Sequence, residues 1–252
     1  EGFEVNLNLK KISMYNNRWL ALAVLDDDQI EIEAGPEVWL GTSNGITPKI
    51  KNRKFFMPQL LIIDLKNYKT QSFYEKEVVK RFILDENSSF LLSFDPYENE
   101  DFTKQFPDVE MEIHDLKKPH QTIKLPNISG TLDRLVMGYK KESLFYFKDK
   151  DWWLLDLNAN KTMNITKNLE GTFYKEYDEY CAIDCAPAGK LMVTKDPNIV
   201  YLYDVFDIWK YNISKKKAIR LTNGREEKKR DSFASFNIEA IDIPQPNRKF
   251  LS

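Results

Sequence analysis

The sequence predicts an all-β fold, and within that class a β-propeller built of four-stranded antiparallel blades. Three observations point there. A phrase consisting of an apolar run, an Asp-Leu or Asn-Ile step, a polar turn and a second short strand occurs four times. Each copy is preceded by segments with the same strand-forming character, so that two hairpins make one blade. Long segments of 3.6-residue periodicity are absent, and the best helical candidate, Tyr74–Lys80, is short and uncapped.

The copies are Leu60–Leu65, Met111–Leu116, Trp152–Leu157 and Ile208–Ile213. Measured from Asp64, Asp115, Asp156 and Asn212, they are spaced by 51, 41 and 56 residues. A loose period of that size, made of strands, is the signature of propeller blades, and 252 residues then hold about five of them. The first fifty residues carry the repeat weakly. From Arg81 to Phe94 a hairpin is expected, Arg81–Leu84 and Ser89–Phe94 flanking the turn Asp85–Ser88. β-branched, aromatic and leucine residues suit a half-buried pleated surface, while Asp and Asn favour the turn that follows. In the third copy Asn158–Lys161 is the expected turn and Thr162–Thr166 the returning strand. In the fourth, Ser214–Lys217 turns into Ala218–Thr222. The final stretch, Ile241–Pro246, shows no clear closing strand.

Composition narrows the function classes. With 37 basic and 39 acidic residues the net charge is -2, which gives no electrostatic footprint for nucleic acid. At 13% aromatic with nine glycines, the chain suits packed sheets rather than disorder. No apolar run reaches the length of a membrane span, and no signal peptide is visible. Residue 1 is Glu, so the chain is expected to be a processed or excised part of something longer, with residues 1–252 forming one propeller domain.

Candidate chemistry is sparse. Gly41-Thr42-Ser43-Asn44-Gly45 spells the G-x-S-x-G pattern of a nucleophile elbow, which requires a strand before it and a helix after it. The following Ile46–Arg53 contains Pro48 and no helical face, and Asn44-Gly45 is a turn signal, so Ser43 reads as a loop residue. His114 is expected on one face of a strand and His120 in the next turn, too few ligands for a metal pair. Cys181 and Cys185 are separated by three residues, which fits neither the usual zinc spacing nor a redox dithiol. On spacing alone they read as free core thiols. Asp26–Asp28 with Glu31 and Glu33 lacks the glycine and the fixed spacing of a calcium loop and reads as a solvated turn. The lysine-rich runs around Lys49–Lys54, Lys215–Lys217 and Lys228–Arg230 have no phosphate-cradling glycines and read as solvated loops. Five N-x-S/T sequons, at Asn87, Asn127, Asn160, Asn164 and Asn212, are of the number an Asn-rich chain produces by chance. No catalytic residue, metal ligand or cofactor is expected.

The stretch from Tyr203 to Gly224, with Tyr203-Asp204, Phe206–Lys210 and Leu221–Gly224, resembles the late blades of the N-terminal propeller of prolyl oligopeptidase (S9) family serine peptidases, especially secreted Bacteroidetes members. Trp152–Asn168 is similar to the blade before it, and Glu37-Val38-Trp39 to an earlier strand. The resemblance implies a propeller that gates peptide substrates and docks an α/β-hydrolase domain of the same polypeptide, lying beyond Ser252 and carrying the catalytic triad. It also implies an extracytoplasmic, periplasmic location, and only with that location is a local disulfide between Cys181 and Cys185 open as the alternative to free thiols. Some dipeptidyl members hold the substrate amino terminus with propeller glutamates, and by that likeness Glu176, Asp178 and Glu179, interleaved with tyrosines, are the candidate substrate-binding residues. No glutamate-pair motif of the family stands here. The alternative is a free-standing propeller that binds a protein or ligand as a scaffold.

Overall fold

The computed structural model describes residues 9–15, 17–25, 58–73, 80–85, 88–96, 107–119, 121–131, 133–139, 142–176, 181, 185–227 and 248–251. Among the described residues are seventeen strands and a four-residue helix, α1 (Gly224–Glu227). The all-β class and the antiparallel blades expected from the sequence are present, as three four-stranded sheets and one of five strands among the described residues.

The first sheet runs in the order β1 (Leu9–Tyr15), β2 (Trp19–Leu25), β3 (Pro58–Asp64), β4 (Lys69–Phe73). The second is β5 (Arg81–Asp85), β6 (Phe90–Phe94), β7 (Asp108–Asp115), β8 (Thr122–Ser129), with β17 (Arg248–Leu251) added beside β5. The third is β9 (Leu135–Met137), β10 (Ser143–Lys148), β11 (Asp151–Asp156), β12 (Lys161–Asn164). The fourth is β13 (Met192–Val193), β14 (Ile199–Tyr203), β15 (Ile208–Asn212), β16 (Lys217–Arg220).

The weak repeat of the first fifty residues has a plain cause. β1 and β2 are the first half of a blade whose second half, β3 and β4, begins only at Pro58, so the blade is split by a long insertion. Past the stretch Ile241–Pro246, which lies outside the described residues, Arg248–Leu251 forms β17, antiparallel to β5 with Arg248 opposite Asp85 and Leu251 opposite Phe82. Four residues with two charges carry too little alternation to be read as a strand.

The chain divides into two compact units. Unit 1 comprises Glu1–Phe102, Val109–Lys124 and Arg248–Ser252, and unit 2 comprises Thr103–Asp108 and Leu125–Asn247. In unit 1 the core joins the first two sheets through Tyr15, Trp19, Leu60, Ile62, Phe82, Leu84 and Leu91. In unit 2 the third and fourth sheets share a core around Phe145, Phe147, Trp152, Phe173, Leu202 and Trp209. Phe145 and Trp152 are fully buried, and each such side chain stabilises the fold by roughly 2–3 kcal/mol relative to exposure. β7 alternates strictly, with Val109, Met111, Ile113 and Asp115 turned inward and Glu110, Glu112 and His114 on the other face.

Candidate functional site

The residue that ends each repeated phrase is a turn acceptor. The Asp64 carboxylate accepts from Lys66 N at 3.0 Å, Asp115 from Lys117 N at 2.9 Å, and Asp156 from Asn158 N and Ala159 N at 3.0 Å each. Asn212 does the same through its amide oxygen, from Lys215 N at 2.9 Å. These are Asx turns, the local reason why Asp or Asn must stand there. In three of the hairpins the strand resumes five residues later, Asp64 facing Lys69, Asp156 facing Lys161 and Asn212 facing Lys217. The residue before the return is left-handed in all three: Tyr68 at φ 58°, Asn160 at 49° and Lys216 at 51°.

A second device recurs from blade to blade. At the first residue of β11, Asp151 accepts from the Thr166 hydroxyl at 2.5 Å, while the same hydroxyl accepts from Trp152 N at 3.0 Å. One blade later Asp207 accepts from the Thr222 hydroxyl at 2.9 Å, which accepts from Ile208 N at 3.0 Å. The separation is 15 residues in both. An Asp at the start of the third strand is thus tied to a Thr just past the fourth, closing the outer hairpin at the end opposite its turn. The 15-residue Asp-to-Thr spacing is the sequence signal of this strut.

In the fourth blade this strut grows into a buried network. Asp204 accepts from Phe206 N at 2.7 Å, Asp207 N at 2.6 Å, Trp209 Nε1 at 2.9 Å and an Arg225 guanidinium nitrogen at 2.9 Å. Gly224 N donates to Asp207 Oδ1 at 2.7 Å. Asp207 Oδ2 has no hydrogen bond but lies 3.6 Å from Arg220 and 3.9 Å from Arg225, so its charge is balanced without bond geometry. Both carboxylates are withdrawn from solvent, and such charges persist only when paired and bonded in this way.

The network anchors a neighbouring segment. Arg225 also donates to the Glu170 carbonyl at 2.6 Å, and Val205 N to the Thr172 carbonyl at 2.9 Å. Between them Gly171 passes so close that a Cβ would stand 2.6 Å from Asp204 Oδ2. From this root a narrow ladder rises, with Ala188 N donating to Phe173 O and Lys175 N to Ala186 O. Cys181 and Cys185 are joined in a disulfide beyond it, which settles the alternative left open by the sequence. Glu176 stands exposed just past the ladder and accepts from the Thr172 hydroxyl at 3.5 Å. Lys150, from the β10–β11 turn, lies over the Tyr174 ring at 4.7 Å. Asp178 and Glu179 lie outside the described residues, as do Ser43 and His120. Of the three proposed substrate-binding residues, therefore, Glu176 alone is located.

Unit 1 holds a separate polar cluster on the outer face of β7. His114 Nε2 is 2.8 Å from Ser93 Oγ, and Nδ1 is 3.2 Å from Thr122 Oγ1. Glu112 accepts from Lys80 at 2.8 Å and lies 3.8 Å from His114 Nε2. Burial pushes the His114 pKa down, with Lys80 acting in the same direction against the pull of Glu112. Burial pushes Glu112 up, but Lys80, His114 and Lys124 together hold it below the usual range. A serine beside a histidine invites a nucleophilic reading, yet Ser93 is 1% exposed in mid-strand, where no substrate carbonyl reaches it. The cluster is a satisfied sheet-face network.

No family model and no curated protein matches the chain. Among solved structures, it is similar to the acylaminoacyl peptidase of Pyrococcus horikoshii, with 11% identity over 86% of this chain and 32% of that one, TM-score 0.42. It is similar also to an oligogalacturonate lyase solved in complex with manganese, with 12% identity over 82% and 50% of the two chains, TM-score 0.41. A third is the β-propeller domain of the Trilobed protease from Pyrococcus furiosus, with 10% identity over 86% and 57%, TM-score 0.39. The chain spans 32% to 57% of the length of these structures. Similarity at this level assigns no activity, substrate or partner to this chain.

Proposed function

We propose that this chain is the non-catalytic propeller of an S9-like serine peptidase, which filters peptide substrates and docks an α/β-hydrolase domain of the same polypeptide outside the cytoplasm. One observation carries the reading. Within Tyr203–Gly224, the stretch that resembles the peptidase propellers, Asp204, Asp207, Trp209, Thr222 and Gly224 bond into a single network. That network roots the segment leading to Glu176. In this reading the exposed Glu176 carboxylate, with Asp178 and Glu179 following in sequence, pairs with the ammonium group of a peptide.

The test begins with the coding sequence past Ser252, where a G-x-S-x-G elbow between a strand and a helix, then Asp and His, is expected. The longer protein should label with a fluorophosphonate at that serine and not at Ser43. In it, Glu176→Gln should raise KM for peptides with a free amino terminus several-fold and leave kcat and N-blocked peptides unaffected. A stop codon near Ser252 would sink the peptidase reading in favour of a free-standing scaffold.

A further inference from the structure

The two outer hairpin turns of unit 1 have a composition that neither the fold nor the proposed function uses. The β3–β4 turn displays Leu65, Lys66, Tyr68 and Lys69, and the β7–β8 turn displays Lys117 and Lys118, all exposed. Gln71 Nε2 donates to the Leu116 carbonyl at 2.8 Å and ties β4 to the second turn, so both turns lie at one end of the unit. Met14 sits near the same end, one residue before β1 closes. Met14, Leu65 and Tyr68, exposed by 56%, 37% and 81%, are the large exposed hydrophobic side chains of unit 1 among its described residues.

Tyr68 is the unusual one. It occupies the left-handed position at which the sister turns carry Asn160 and Lys216. A bulky aromatic residue is a poor choice for that backbone, and nothing packs over its ring to compensate, since it is the most exposed large hydrophobic residue described. Arg18 takes up the Asp64 carboxylate and Asp115 balances Lys118, so Lys66 and Lys69 of the β3–β4 turn carry the positive charge on which the argument rests. The buried Asp64 carboxylate is gripped by Arg18 at 2.7 and 3.0 Å, and the buried Asp115 accepts from Lys117 N, with Lys118 at 3.9 Å.

We propose that this end of unit 1 docks on an anionic phospholipid surface. Lysines set among single apolar side chains at turn tips suit a bilayer interface, where tyrosine rings seat at headgroup level and lysine stems reach over them to the phosphates. An acidic protein would instead call for a contiguous apolar patch ringed by charge, and here the apolar groups stand on separate turns and a strand. This inference is independent of the peptidase reading.

The test is cosedimentation of the 252-residue chain with vesicles of phosphatidylcholine alone and of phosphatidylcholine with phosphatidylglycerol. Binding is expected on the anionic vesicles and should fall as salt rises. Tyr68→Asn, which places a residue suited to that φ, should weaken binding several-fold without lowering the melting temperature. Lys66→Gln and Lys69→Gln should each weaken it about fivefold. Failure to bind anionic vesicles, equal binding to phosphatidylcholine alone, undiminished binding by Tyr68→Asn, or stronger capture by polyglutamate than by vesicles would each overturn the proposal.

Discussion

Replacing Thr166 with Val tests whether the Asp-Thr strut holds a blade together. The side chain is 2% exposed and its hydroxyl joins Trp152 N, at 3.0 Å, to the Asp151 carboxylate, at 2.5 Å. Valine keeps the shape and removes both bonds. The orphaned, buried Trp152 N–H costs about 1–3 kcal/mol. The lost bond to a carboxylate adds roughly 1 kcal/mol, the low end for a charged partner, because Asp151 keeps Asn164 Nδ2 at 2.9 Å. The methyl gained offsets less than about 1 kcal/mol of this. The expected net loss is therefore about 1–4 kcal/mol, or a fall in Tm of roughly 2–16 °C for a domain of this size. Thr166→Ser keeps the hydroxyl and removes one methyl, so it should cost about 1 kcal/mol. Far-UV circular dichroism and tryptophan fluorescence during urea and thermal unfolding would measure both. If Val came within about 0.5 kcal/mol of the parent, or Ser proved the worse of the two, the strut would be incidental to stability.

Two further outcomes are expected. His114 has its pKa depressed in the folded state, so the unfolded chain binds its proton more readily. Stability from this site is full above the ordinary histidine pKa of about 6.5 and is lost as pH falls below it. His114→Gln should flatten that limb of the unfolding profile, and because the chain has two histidines, NMR titration of a His120→Gln variant reads His114 directly. A titration above the ordinary value would contradict the burial argument. Gly171→Ala forces a Cβ to within 2.6 Å of Asp204 Oδ2 and 3.1 Å of the Phe173 ring, so unfolding measurements should show a loss of about 1–3 kcal/mol, and a neutral result would mean the root segment yields freely.

Much of the fold was legible because its signals are local. Each phrase-ending Asp or Asn turned out to bond the backbone two or three residues on, which is why the hairpins could be placed from composition. The pairing of β2 with β3 could not be, since their hydrogen bonds span the insertion between Leu25 and Pro58 and local propensity says nothing across such a gap. The candidate site was less legible still. Glu176 stands out only through the family resemblance together with its charge and tyrosine neighbours, while the residues that position its segment, Asp204 and Arg225, lie about 30 to 50 residues further along and declare themselves only through folded contacts. Ser93 beside His114 shows the converse, a suggestive pair in space that burial makes inert.

The strand β17 has a consequence for how the chain is made. Its partner β5 ends at Asp85, and Arg248 pairs with that residue only after every residue of unit 2 has been synthesised. At typical translation speeds those roughly 160 intervening residues take about 10–30 s. During that interval the β5 edge has no ladder partner on one side and can recruit a foreign strand. A nascent chain stalled before residue 248 should therefore be more prone to aggregate, and to engage chaperones, than one released with β17 in place.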